Sequence, residues 1–296
     1  AIQQIPGGAK TQEAMLKQTV ASLDLTLARA PQDVELAALM ASALGRLAQI
    51  QGNPTFAGPE RAAEAQATVA RALALADQAW AAKKGEARFV NQHLITLLTQ
   101  ANTRRNAGDP AAGITVLNTA LARTAEALAQ PLGDADRASL IELRANVLTN
   151  LAHFHDHSGR PSLGRPQEAL RYYAQAQAEF EALYGNARLV QAMNQATDPG
   201  SPKAEEWANH NIANARVGRA LVLQRLDDFA AMKTEVQAAL LRREDNLRRN
   251  AGSAIWRHLK ERGFTRLIGR TRAELDLIDS AAVKNFYAAE RPDYVI

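Results

Sequence analysis

The 296 residues include no cysteine. That removes disulfides, thiol catalysis and Cys-ligated zinc, and it fits an oxidising or a reducing compartment equally. No apolar run approaches the roughly 18 residues of a membrane helix, and no signal peptide is visible. Nowhere do apolar and polar residues alternate for long, so nothing points to β-structure. Short chemical motifs are missing too: no Gly-rich phosphate loop, no His-Arg-Asp or Asp-Phe-Gly kinase element, no Gly-x-Ser-x-Gly elbow, no His-Glu-x-x-His helix and no calcium loop. The chain is therefore expected to be non-catalytic and to need no cofactor. It opens on Ala1 rather than Met, which reads as a processed or excised part of something longer.

Aromatics make up only 5% of the residues, while 47% are hydrophobic. Alanine accounts for about a fifth, and Leu, Gln, Glu and Arg fill much of the rest, which is the vocabulary of strong helix formers. An all-α protein is expected. The formal charge is +4, with the basic excess lying after Leu240. In LLRREDNLRRN, acids interleave with the arginines, as on a solvated helix face with local ion pairs. No nucleic-acid-reading motif accompanies this charge, and no nucleic-acid partner is expected.

Helical periodicity alternates with short Gly/Pro punctuation. It predicts helices over 9–29, 33–50, 59–83, 86–106, 110–130, 135–158, 166–184, 203–225 and 227–249, then shorter ones near 254–268 and 271–289. Gly58-Pro59 and Ser201-Pro202 place proline at a first turn, and Thr271-Arg-Ala-Glu274 is a capping box. The body is interrupted by ATDPGSP, 196–202. Three regions follow: a lead-in helix over 1–32, repeated helical pairs over 33–250, and capping helices over 251–296, where AIWRHLKERGF carries Trp256.

Within successive pairs, a small residue precedes the turn by seven places: Ala101 and Gly108, Ala152 and Gly159, Gly218 and Arg225. After the turn come a small residue, a larger one four further on, and Ala three beyond. The sets are Ala65, Val69 and Ala72; Gly113, Leu117 and Ala120; Ala169, Tyr173 and Ala176. Small residues let antiparallel helices approach, while the larger residue between them fills the gap. Each pair then leaves a stripe that only the next pair covers. This pattern resembles the tetratricopeptide repeat (TPR) over roughly 33–250, although the small residues lie 51 and 66 apart rather than 34. The resemblance implies a right-handed α-solenoid of irregular, long TPR-like hairpins with a C-terminal capping helix.

AIQQIPGGAKTQEAML, followed by SLDLTLARAPQDVELAALMASALGRLAQIQGNP, resembles the segment after the membrane span in bacterial transmembrane serine/threonine kinases of the Hanks type. The matching residues are Ala1, Ile2, Gln3, Pro6, Gly7, Leu23, Asp24, Asp33, Gln51, Gly52, Asn53 and Pro54. Gly8-Ala9 replaces the usual Ser-Thr, and the Arg expected soon after is absent. What this implies is a periplasmic sensor region that binds a ligand or protein, with homodimerisation as one route of signalling and the membrane reached only through a span outside this chain. The alternative is a soluble, cytoplasmic TPR adaptor or assembly scaffold that binds peptide segments.

LAHFHDHSGR, 151–160, holds three histidines. On a continuing helix His153 and His157 would lie within about 40° of each other, as two zinc ligands require, but no third ligand is in evidence and no metal is expected. Imidazoles near a helix C-terminus also interact favourably with its dipole, by roughly 0.3 to 1 kcal/mol when charged. The TPR register gives a third reading, because it implies that residues one, four and five places after the small residue face a concave ligand groove. Those are Asn102, Arg105 and Asn106, then His153, Asp156 and His157, then Arg219, with Arg46 or Gln49 joining them in the first pair. His155 should instead pack against its partner helix. Such a groove is polar and somewhat basic, suited to an acidic peptide or a terminal carboxylate. Tyr172, Tyr173, Trp80, Trp207 and Trp256 read as packing residues.

Overall fold

The computed structural model describes residues 8–53, 59–84, 86–197, 203–244, 268 and 280–291. Every element among them is an α-helix. The chain divides into two compact units, Ala1–Asn246 and Leu247–Ile296. In the first, α1 is Gly8–Arg29, α2 Val34–Gln51, α3 Pro59–Ala82, α4 Ala87–Asn106, α5 Pro110–Leu128, α6 Asp134–His155, α7 Pro166–Gly185, α8 Ala187–Ala196 and α9 Ala204–Arg225, and α10 occupies 229–244. The second unit shows α11, Ser280–Glu290, overlapping the C-terminal part of the helix expected over 271–289. The expected helix near 254–268, Trp256 and the Thr271 capping box lie outside the described residues.

Local chemistry sets most of these boundaries. Asp33 Oδ1 accepts from Leu36 N at 3.0 Å and Asp109 Oδ1 from Ala112 N at 2.9 Å, each satisfying a first-turn N–H that the helix cannot. Pro59, Pro110 and Pro166 occupy first helical positions, where their missing N–H costs nothing. Gly108 has φ +90°, and Asp109 N donates to Arg104 O at 3.1 Å, closing α4 with a left-handed residue. The α9–α10 turn repeats this closure with Asp228 N donating to Leu223 O at 3.0 Å, but its left-handed residue is Asp227, φ 58°.

Two boundaries differ from expectation. The sixth helix ends at His155 rather than near 158, because Asp156 adopts an extended backbone, φ −155° and ψ 124°, and forms an ion pair with Arg225 of α9. The span 187–196, for which no helix was expected, is α8. Asn186 caps it by accepting from the backbone N of both Arg188 and Leu189, and Leu189 is buried on the core side.

Successive helices pack on one another from α1 to α7; α9 packs on α7, and α8 lies against α6 and α7. The alternate pairs α2 with α4 and α4 with α6 are also in contact. Cross-links between hairpins include Gln49 Nε2 to Thr99 Oγ1 at 3.1 Å, Asn91 Nδ2 to Ser139 Oγ at 3.1 Å and Asn211 Nδ2 to Glu142 Oε1 at 3.1 Å. Ala65, Val69, Ala72, Leu117, Ala120, Ala169, Tyr173 and Ala176 are all buried. At Gly113 an added Cβ would overlap the Phe154 ring, and at Gly218 it would overlap the Tyr173 ring. The small residues thus sit where an aromatic from a neighbouring helix reaches the backbone.

Candidate functional site

A cavity of about 280 Å³ opens between α6, α7 and α9 in the first unit. Helix periodicity builds its walls. Asn146, Thr149 and His153 recur at three- and four-residue spacing along α6, Asn211, Asn214, Gly218 and Leu221 along α9, and Tyr173 and Phe180 stand two turns apart on α7. Asp156, His157 and Ser158, just past the end of α6, close one end together with Arg225.

At that end the groups contact one another directly. The His153 ring meets Tyr173 edge-on, with centroids 5.6 Å apart, and His157 edge-on at 5.3 Å. His157 Nδ1 accepts from Gly159 N at 2.9 Å, which leaves the proton of the neutral ring on Nε2. Tyr173 is 2% exposed. It lines the cavity, and its hydroxyl has no hydrogen-bond partner among the described residues. Burial pushes that hydroxyl's pKa upward, so it remains a donor.

Electrostatics keep the two imidazoles neutral. Burial, and then the repulsion that a protonated His157, Arg105 and Arg160 would exert on its imidazolium, hold His153 down to about 4. Burial followed by Arg105, Arg160 and Arg225 lowers His157 as well, with Asp156 opposing. The source of much of this field is Arg105, which is 1% exposed. Its guanidinium lies 4.4 Å from the centroid of the Phe154 ring, and Nη2 donates to Asn102 Oδ1 at 2.8 Å. Nε and Nη1 have no hydrogen-bond partner among the described residues. Burial lowers Arg105 to about 10, with Arg160 contributing, which still leaves it charged at neutral pH.

The residues expected to line one groove are thus distributed. His153, Asp156 and His157 come together at the cavity, although His157 stands beyond the helix that was expected to carry it. Asn102 is engaged with Arg105, and its Nδ2 donates to Leu98 O at 3.0 Å. Asn106 Nδ2 donates to Gly52 O at 2.9 Å, tying α4 to the turn after α2. Arg219 faces α7 and α10, bonding Gln177 Oε1 and pairing with Glu235 at 3.0 Å. Of the first-pair candidates, Gln49 bonds Thr99 and Arg46 is exposed. His155 is buried and stacks on Tyr172 of α7 at 5.2 Å.

Sequence reasoning did not single out Asn146, Asn211, Asn214 or Arg225 as site residues. Their three- and four-residue spacing is a signal, but only the position of α7 tells which helix faces converge. Trp207, read as packing, is 43% exposed. Trp80 stacks on His93 at 5.5 Å, with the Arg123 guanidinium 4.0 Å from its ring. Among the described residues no three His, Asp or Glu side chains converge as metal ligands, and no helix there is long and apolar enough to cross a membrane.

No family model matches the chain. A stretch of 45 residues, 15% of the chain, is 60% identical to "Putative GDP-L-fucose synthase 2" of Oryza sativa subsp. japonica. Over 45 residues it is 56% identical to "GDP-L-fucose synthase 1" of Arabidopsis thaliana, and over 44 residues 57% identical to "GDP-L-fucose synthase" of Escherichia coli (strain K12). The chain spans only 13% to 14% of the length of these relatives. The likeness is local and extends to neither the body of this chain nor that of the enzymes.

Proposed function

We propose that the chain is a non-catalytic binding region, a right-handed α-solenoid of TPR-like hairpins, and that it serves as the periplasmic sensor part of a bacterial membrane serine/threonine kinase. The observation that carries the binding role is the cavity between α6 and α9 over α7, whose walls include Tyr173 and His153, side chains that no described residue hydrogen-bonds. Polar groups of a cavity wall that the protein leaves unbonded are available to a ligand that supplies the partner. The solenoid reading is supported by contacts between alternate as well as successive helices and by the glycines that admit Phe154 and Tyr173. The kinase assignment rests on the resemblance at the N-terminus. A 45-residue likeness to GDP-L-fucose synthases is too short to transfer an activity, and the proposed role is binding.

Labelled acidic peptides titrated onto the purified chain test the binding role by fluorescence anisotropy. Binding is expected, with a loss in His153→Ala and little change in Arg219→Ala, whose guanidinium is already paired with Glu235. If no peptide binds, or if His153→Ala leaves binding intact, the cavity is not the peptide site. The residues encoded upstream of Ala1 test the sensor role. A membrane span preceded by a kinase domain supports it, whereas an ordinary cytosolic start overturns it in favour of a soluble adaptor.

A further inference from the structure

The cavity walls change character from one end to the other. At the closed end stand His153 and Tyr173, neither of whose side chains is hydrogen-bonded by a described residue. The Tyr173 hydroxyl lies where a Cβ on Gly218, another wall residue, would meet it. Two turns earlier on α6, about 10 Å along the axis, Asn146 lines the wall. Asn150 Nδ2 donates to the Asn146 carbonyl at 2.9 Å, while no described residue bonds its side-chain amide. Helix α9 runs alongside α6, with Asn211 bonding Glu142 near one end and Arg225 pairing with Asp156 at the other. That register sets Val217, Gly218 and Leu221 between the two polar ends. The Thr149 hydroxyl, facing the same stretch, already donates to Ala145 O at 3.0 Å. Arg225 and Asp156, the charged residues of the wall, neutralise each other.

We propose that the cavity is the anchor pocket for a tyrosine side chain of a bound peptide, with the phenol at the closed end and the main chain beside Asn146. The inference rests on reading the cavity as a peptide-binding site and names the residue it selects. At about 280 Å³ the space is smaller than the roughly 300 to 1,000 Å³ that hold drug-sized ligands, so it takes one large side chain. A charged side chain would lose its water there without gaining a free partner. An aliphatic one would cover Asn146, His153 and Tyr173 and leave their polar groups unpaired. Tyrosine is polar at its phenol and at its main chain, with only a ring between, which is the order of the walls. Its hydroxyl donates and accepts, as do the neutral His153 ring and the Tyr173 hydroxyl, whereas an indole N–H only donates. The ring lies against Val217 and Leu221, giving a large apolar contact from a side chain with few rotatable bonds.

Labelled peptides of one acidic sequence, differing only in a central Tyr, Phe, Leu or Ala, test this by fluorescence anisotropy on the whole chain. The tyrosine peptide is expected to bind tightest, about two- to tenfold better than the phenylalanine peptide for the hydrogen bonds of its phenol. The leucine and alanine peptides should be weaker still. N-acetyl-tyrosinamide should displace the tyrosine peptide, and N-acetyl-alaninamide should not. Tyr173→Phe should bring the tyrosine and phenylalanine peptides together, a change of selectivity that a purely structural role would not produce. Leu221→Ala, at a side chain that is 44% exposed, should weaken both peptides by a similar factor and keep their ratio. Phenylalanine or alanine peptides that bind as tightly as the tyrosine peptide overturn the proposal. A tyrosine preference that survives both Tyr173→Phe and His153→Ala places the phenol elsewhere and overturns it too. In the first case the broader binding role stands if His153→Ala still weakens every peptide, whereas no binding by any of them ends both readings.

Discussion

The Tyr173 ring lies against the α9 backbone because Gly218 presents no side chain there, while its hydroxyl has no hydrogen-bond partner among the described residues. These two properties separate by mutation. Gly218→Ala forces a methyl into the ring, and overpacking of this kind costs about 1 to 3 kcal/mol. Chemical denaturation should show that loss, and wild-type stability would mean that α7 and α9 are less closely apposed. Tyr173→Phe keeps the ring and removes only the hydroxyl, so unfolding should change by less than about 1 kcal/mol, or improve, even though ligand binding falls. His153 adds a pH dependence. The folded chain holds it at about 4 against 6.5 for the free side chain, so as pH falls the unfolded chain takes up the proton first. Its contribution is complete above 6.5 and is lost as pH falls from 6.5 towards 4. Thermal melts should show a smaller fall in Tm over that window for His153→Gln than for wild type. Parallel curves would mean that His153 is not held neutral.

Helix ends show both what local chemistry decides and what it leaves to long-range contacts. The spans from α2 to α5 are legible because Asp33, Pro59, Gly108, Asp109 and Pro110 carry their start and stop signals in the sequence itself. The end of α6 is not. Asp156 leaves the helix beside Arg225, 69 residues away, and no local pattern announces such a partner. The same limit divided the candidate site. His153, Asp156 and His157 share a short segment and arrive together, whereas Arg219 was placed by register alone and turned to Glu235 on α10. Helix α8 went without an expected helix because its ten residues are few and run straight into the turn residues of ATDPGSP. The α9–α10 turn retains a local imperfection of its own, since Asp227 holds the left-handed conformation that Gly108 adopts at the end of α4. Asp227→Gly removes the Cβ clash and should stabilise the chain by about 0.5 to 1 kcal/mol. Denaturant midpoints measure this, and a destabilised variant would show that Asp227 contributes through contacts of its side chain.

At the scale of the whole chain, the buried apolar clusters among the described residues lie between Val20 and Val222, and every residue lining the cavity falls between Asn146 and Arg225. All of them belong to the unit Ala1–Asn246. Where stability is a sum over neighbouring hairpins, a segment keeps its structure if its own neighbours remain. The α7, α9 and α10 side chains around the site are cross-linked within that unit, with Arg216 pairing with Glu235 at 3.0 Å and Arg243 donating to Asn214 at 3.1 Å. Residues 1–246 made alone should therefore fold with undiminished helicity per residue and bind acidic peptide as the full chain does. Circular dichroism and the same titrations check both. A truncated chain that folds but no longer binds would show that Leu247–Ile296 takes part in recognition, whereas one that fails to fold would show that α10 depends on that unit for its packing.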